Sequence, residues 1–229
     1  MDSLRTTSAH VMVEPAALGG DHMLVDSDTD HHLRRVLRLR DGETVSVTDG
    51  AGRWRITRVR LAGGSIVLEP DGDVVESRRR SDPFTLAVAM PKGDRLDWLV
   101  QKVTELGVDR IVLLHAERSV VRWKPDRFET HLARLQRIAD EACRQSRRVW
   151  RVEIDAPVDA RDVLAGAVVA EPGGRRPVAS DRLVAVGPEG GWSPTEVELA
   201  AERVSLGDTI LRTETAAVAV SALCVAFER

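Results

Sequence analysis

A chain of 229 residues that is 43% hydrophobic and 30% charged has the apolar content for a core and the charge for a wetted surface. Its apolar runs, such as those at 84–90 and 111–114, fall short of a membrane span, and two cysteines, Cys143 and Cys224, exclude a disulfide scaffold. A formal charge of −3 argues against a coat for nucleic acid, and the polar stretch after Met1–Arg5 lacks the apolar run of a signal peptide, so a cytoplasmic protein without a membrane partner is expected.

In chain order, a short helix is expected over 31–39, with Leu33, Val36 and Leu37 along one side. Three short alternating segments follow, at 45–48, 54–61 and 66–68. Asp49-Gly50-Ala51-Gly52 and Gly63-Gly64 between them are hairpin chemistry, so this is an antiparallel β module. Residues 31–60 hold eight Arg against Asp41, Glu43 and Asp49, a local balance of +5. Residues 70–82 are polar, charged and without periodicity, and read as a linker. The boundaries drawn from this are a β domain over 1–75, a linker over 76–82 and a larger domain over 83–229.

After the linker the pattern changes. Residues 84–90 form a continuous apolar strand. Leu96, Leu99, Val100, Val103 and Leu106 then recur at helical spacing over 94–106, with Gly107 as the stop. Another buried strand is expected at 110–115. A long helix spans 127–145, with Phe128, Leu132, Leu135, Ile138, Ala139 and Ala142 inward. Further strands fall at 152–154, 167–170 and 183–187, a short helix near 159–164, and the last helices at 194–203 and 213–227. Alternating strands and helices argue for a mostly parallel sheet covered on both faces. Residues 118–151 carry a balance of +6, and 152–229 one of −6. Two basic blocks fit a polyanion gripped at chosen places, although a charge run is more often just a solvated face. Thirty of the 33 basic residues are Arg, through GC-rich coding or a need for bidentate anion recognition.

Several familiar sites are absent. There is no Walker A loop and no HExxH, and the six His residues offer no metal constellation, so no metal is expected. Gly50-Ala51-Gly52 fails as a dinucleotide fingerprint, because Arg55 stands where the third Gly belongs.

The most informative segment is Gly187-Pro188-Glu189-Gly190-Gly191-Trp192-Ser193-Pro194. An apolar strand enters a glycine-rich turn, and a helix begins at Pro194 with Ser193 as its N-cap. Such a turn, at the carboxyl end of a strand in an open α/β sheet, lets a ligand approach main-chain amides. A second element repeats the logic: a short strand at 204–206, the loop Gly207-Asp208-Thr209-Ile210-Leu211-Arg212, and a helix from Thr213. Apolar Ile210 and Leu211 in an ordered loop suggest a flat, partly apolar ligand such as a nucleobase.

GPEGGWSPTE at 187–196 followed by LGDTILRTETAAVAV at 206–220 closely resembles the bacterial 16S rRNA uridine-N3 methyltransferases of the SPOUT superfamily, the RsmE type. His32-Leu33-Arg34-Arg35-Val36-Leu37-Arg38, Lys92-Gly93-Asp94-Arg95, 101–107, 117–119 and 141–146 extend the match over nearly the whole chain. One departure is Arg144, where many relatives are acidic. The resemblance implies an N-terminal PUA-like β-barrel for RNA, a C-terminal α/β domain with a trefoil knot, a homodimer, and S-adenosylmethionine as methyl donor. Gly187, Pro188, Glu189, Gly190, Gly191, Leu206, Gly207, Ile210, Leu211, Arg212 and Thr213 are then expected to line the cofactor site. Uracil N3 must lose a proton, so Arg212 is the candidate for anion stabilisation and Glu189 for base or structural brace. N3 is hidden by base pairing, so the target uridine must be unpaired or flipped out. Arg34, Arg35 and Arg38, with Arg118, Arg122, Arg144, Arg147 and Arg148, are the candidates for contacts to 16S rRNA or the 30S subunit. The rival expectations are ribose 2′-O methylation and a ribosome-assembly protein without catalysis.

Overall fold

The computed structural model describes residues 2–226, which divide into two compact units: residues up to Arg80 with Cys143–Arg151, and Ser81–Ala142 with Val152 onward.

The first unit opens with α1 (Asp2–Thr6) and centres on six strands: β1 (Ala9–Met12), β2 (Met23–Leu24), β3 (Thr44–Thr48), β4 (Arg53–Ala62), β5 (Ser65–Pro70) and β6 (Val75–Glu76). Their order is β1-β3-β4-β5-β2, with β6 on β4; β1 runs parallel to β3 and the other pairs are antiparallel. Alternation along the strands sends Val11, Val45, Val47, Val59 and Leu68 into a common core. The expected early helix is present as α2 (Ser27–His31), capped by Asp26, continuing into a π-helical turn over His32–Val36. Leu33 alone of its apolar trio is buried; Val36 and Leu37 are exposed. The expected linker is ordered at its start, where Val75 pairs with Trp54 and the Trp54 indole donates to Ser77 Oγ at 3.0 Å.

Residues 143–151 pack with this first unit, although their place in the sequence assigns them to 83–229. Gly52 is the reason. With φ at 95°, it lies so close to Trp150 that a Cβ would meet the ring at 2.2 Å. The Gly52 and Arg151 amides donate to the Val149 and Gly50 carbonyls. Contacts across so long a separation leave no trace in a local pattern.

The second unit is a parallel sheet with helices. Its strands are β7 (Thr85–Ala89), β8 (Arg110–His115), β9 (Glu153–Asp159), β10 (Val168–Arg175), β11 (Leu183–Val186) and β12 (Glu202–Val204). Their order is β12-β10-β11-β7-β8-β9, every pair parallel. The helices are α3 (Arg95–Leu106), α4 (Phe128–Ser146), α5 (Arg161–Leu164), α6 (Pro194–Leu199) and α7 (Thr213–Ser221). Leu86, Val88, Ile111, Leu113, Val184 and Ala185 are fully or almost fully buried in the central strands, as continuous apolar runs require.

Two expectations at the C-terminal end are corrected. The helix expected over 194–203 stops at Leu199, and Glu202–Val204 form an edge strand on β10 instead of one at 204–206. That pairing needs Gly174, where a Cβ would stand 2.5 Å from the Arg203–Val204 backbone. The helix expected over 213–227 is α-helical to Ser221 and π-helical to Ala226, and Phe227 lies outside the described residues.

Candidate active site

Because all strands of the second unit run the same way, the segments that follow β7, β8, β10, β11 and β12 gather at one edge of the sheet. Between the ends of β10, β11 and β12 lies a cleft of about 320 Å³, at the small end of the range for small-molecule sites. The glycine-rich turn forms one wall, with Gly187, Pro188, Glu189, Gly190 and Gly191 all contributing. Leu206, Gly207, Ile210, Leu211 and Thr213 form the facing wall. Arg212 is not part of the lining: it is exposed and precedes α7 as its N-cap residue.

Local chemistry explains the turn. The Gly191 amide donates to the Pro188 carbonyl at 2.8 Å, closing a turn that puts Gly191 at φ 69°. Gly187 packs against Trp192, whose ring a Cβ would meet at 2.9 Å. Ser193 then caps α6 in a full capping box, with Glu196 reaching back to the Ser193 amide at 2.9 Å. The same buried carboxylate accepts from the Glu117 amide at 2.8 Å, which ties the segment after β8 to the turn. Thr213 Oγ1 donates to the Gly187 carbonyl at 2.9 Å and joins the two walls.

The lining also contains residues that sequence reasoning missed: Ala170, Glu171 and Pro172 of β10, together with Trp192 and Ser205. The rule placing ligands at carboxyl ends of parallel strands points to 170–172 once β10 is known to neighbour β11. Its strand order is not legible from the residues.

The cleft fits an adenosyl sulfonium compound. Val186, Leu211 and exposed Ile210 offer apolar contact for a purine, while Glu171 and Glu189 face the space with negative charge suited to a cation. At Gly191 and Gly207 an added Cβ would meet nothing within 4 Å, so the main chain is open to a ligand there. Gly191→Val fills that opening and places a branched residue at φ 69°. It is expected to weaken binding of S-adenosylmethionine by about tenfold or more in calorimetry; unchanged affinity would mean the ligand lies elsewhere.

Around this edge, Arg95 at the start of α3 lies 3.3 Å from Glu189 and 3.7 Å from Glu214. Arg118 donates to the Gly190 carbonyl at 3.2 Å, and Arg122 to the Ala116 carbonyl at 2.7 Å. Burial, aided by the Arg122 charge and opposed by Asp159, pushes His115 below its usual value. Among the described residues no group of three or more His, Cys, Asp or Glu is placed to hold a metal, and no helix is long and apolar enough to cross a membrane.

The other arginines expected at RNA belong to the first unit. Arg34 pairs with Asp30 at 3.5 Å, while Arg35 and Arg38 are exposed. Arg38 and Arg147 are the non-glycine residues with left-handed backbone, at φ 54° and 57°, among the described residues. Arg147 is committed internally, donating to the Leu4 and Thr7 carbonyls at 2.6 Å each and to Thr7 Oγ1. Arg144 and Arg148 are half-buried, and the Arg148 carbonyl bonds His10 at 3.0 Å.

A family model described as an RNA methyltransferase domain matches residues 78–225, and one described as an RNA methyltransferase PUA domain matches 26–69. The chain is 32% identical to the ribosomal RNA small subunit methyltransferase E of Mycobacterium bovis, over 90% of this chain and 87% of the relative. It is 34% identical to the enzyme of that name from Synechocystis, over 81% of this chain and 67% of the relative. A crystal structure of a ribosomal RNA small subunit methyltransferase E from Neisseria gonorrhoeae, bound to S-adenosyl methionine, superposes with a TM-score of 0.78 at 28% identity, covering 93% of this chain and 95% of that one. The glycine-walled cleft at the ends of parallel strands thus sits in a chain that belongs to the RNA methyltransferase family, together with ribosomal RNA small subunit methyltransferases E.

Proposed function

We propose that this protein transfers a methyl group from S-adenosylmethionine to N3 of one uridine in 16S rRNA. The observation that carries the reading is the cleft itself, walled by the glycine-rich turn and the 206–213 loop at the carboxyl ends of β10, β11 and β12. The cofactor relatives bind suits that cleft, and when bound it supplies a methyl already activated on a sulfonium. The protein's part is to hold donor and acceptor in line, exclude water and take a proton.

In this reading Glu189, on the wall, accepts the N3 proton. Arg212, at the mouth of α7, stabilises negative charge developing on the uracil. The fold is read as a trefoil knot, with the 206–213 loop passing beside the glycine turn to which Thr213 bonds; knots are otherwise almost absent from proteins. A homodimer is supported by the exposed Trp98 and Leu223, on α3 and at the end of the helix that packs against it.

The test is mass spectrometry of digested 16S rRNA after incubation with the protein and S-adenosylmethionine. One new N3-methyluridine is expected. A ribose 2′-O mark would redirect the chemistry, and absence of cofactor binding in calorimetry would sink the enzyme reading.

The first unit is read as the PUA-like RNA-binding domain. Arg34, Arg35 and Arg38 would grip phosphate, so their triple change to Ala is expected to weaken 30S binding and to reduce the slope of log K against log salt by about 2 to 3. Filter binding at several salt concentrations checks this; an unchanged slope would make the cluster solvated surface only.

A further inference from the structure

Arg95 comes from the Lys92-Gly93-Asp94-Arg95 segment, which the cofactor cleft does not use. It is the first residue of α3 and follows β7, the neighbour of β11, so the topology brings it to the glycine turn. There its guanidinium reaches two carboxylates from different elements: Glu189 Oε1 through Nη1 at 3.3 Å and Glu214 Oε1 through Nε at 3.7 Å.

The carboxylates differ. Glu189 is a third exposed at its side chain and lines the cleft. Glu214 lies in the first turn of α7 and is 9% exposed, and its Oε2 is buried with no hydrogen-bond partner among the described residues. A buried acid left half-satisfied costs stability, and the positive end of α7 offsets only part of that cost. What Glu214 gains is a fixed negative anchor behind Arg95.

We infer that Arg95 is a positioning residue for methyl transfer: braced by buried Glu214, it holds the Glu189 carboxylate at the cleft, where that group takes the uracil N3 proton. The inference rests on the proposed transfer to uracil N3. As the proton passes to Glu189, the N3 electron pair forms the new bond to the methyl carbon. The thioether leaves with the electrons of the broken carbon–sulfur bond, and Glu189 later returns its proton to water. An Arg suits this role better than a Lys, because its planar guanidinium can hydrogen-bond Glu189 through one nitrogen while another stays ion-paired with Glu214.

The test measures single-turnover methylation of 16S rRNA and, separately, S-adenosylmethionine affinity by calorimetry, for the full-length protein. Arg95→Gln is expected to lower the transfer rate about 100-fold, the size of effect a misplaced reacting group produces. Cofactor affinity should change far less than the rate, by less than about tenfold, since Arg95 is outside the lining and touches the cofactor site only through Glu189. Arg95→Lys should recover part of the rate. Glu214→Gln should lower it about tenfold, and the double variant Arg95→Gln with Glu214→Gln should be no slower than Arg95→Gln, because both act on one carboxylate. Retention of the wild-type rate by Arg95→Gln, or independent multiplication of the two losses, overturns the inference. Failure of the underlying reading looks different: the wild-type protein itself would then methylate another atom or none.

Discussion

Glu196→Ala is expected to destabilise the second unit by about 3 kcal/mol. The carboxylate is 1% exposed and accepts from the amides of Glu117 and Ser193 at 2.8 and 2.9 Å, so its removal leaves two donors without their acceptor. Hydrogen bonds to a charged group contribute about 1.5–3 kcal/mol each, and loss of the reciprocal cap adds to the cost. Function should suffer as well. The two amides belong to the segment after β8 and to the turn that walls the cleft, so both lose their common tie. Urea unfolding and cofactor calorimetry on the same variant check the two parts. Glu196→Gln should fall between wild type and Ala, because its amide nitrogen meets an N–H that needs an acceptor. A loss below about 1 kcal/mol for Ala would mean that other groups take over both amides.

The first unit is expected to lose about 3 kcal/mol between neutral and acid pH through one histidine. Burial is the main reason that His10 is pushed down to about 4; the charges of Arg147 and Arg144 add to it, and the bond to the Arg148 carbonyl opposes it. His10 Nε2 lies 3.0 Å from that carbonyl and Nδ1 lies 2.8 Å from Ser46 Oγ, an arrangement that a neutral ring satisfies by donating to the carbonyl and accepting from the hydroxyl. Between about 6.5 and about 4 the unfolded chain binds the proton and the folded one does not. Stability therefore falls as pH drops through that window, and this contribution stops changing below about 4. Denaturant midpoints at pH 7, 5.5 and 4.5 should show the decline, and His10→Gln should flatten it. An equally steep decline in the variant would assign the effect to other groups.

The cleft was legible because its two walls are local. A strand running into Gly-Pro-Glu-Gly-Gly, and an ordered loop with bare Ile210 and Leu211, announce themselves within a dozen residues, and ten of the eleven residues expected at the cofactor line the cleft. Arg212 is the exception, since a backbone position next to a cleft does not say where a long side chain ends. Glu171 and Pro172 were illegible for a different reason: they reach the cleft only because β10 lies between β11 and β12. Arg147 shows the limit of counting charge. It stands in a basic block, yet its guanidinium serves Leu4 and Thr7, some 140 residues earlier.

By itself the sequence determined the alternation of elements, the break between a β module and an α/β module, the glycine turn and the family resemblance. These are matters of period, propensity and contiguous motif. Only the tertiary structure decided that 143–151 pack with the first unit, that 202–204 are a strand and not the end of a helix, and that Arg95 meets Glu189 and Glu214. Each depends on partners distant in the chain: a ring against Gly52, a backbone against Gly174, two acids around one guanidinium. Local pattern sets which faces must be buried, while strand order and close approach of backbones decide against what.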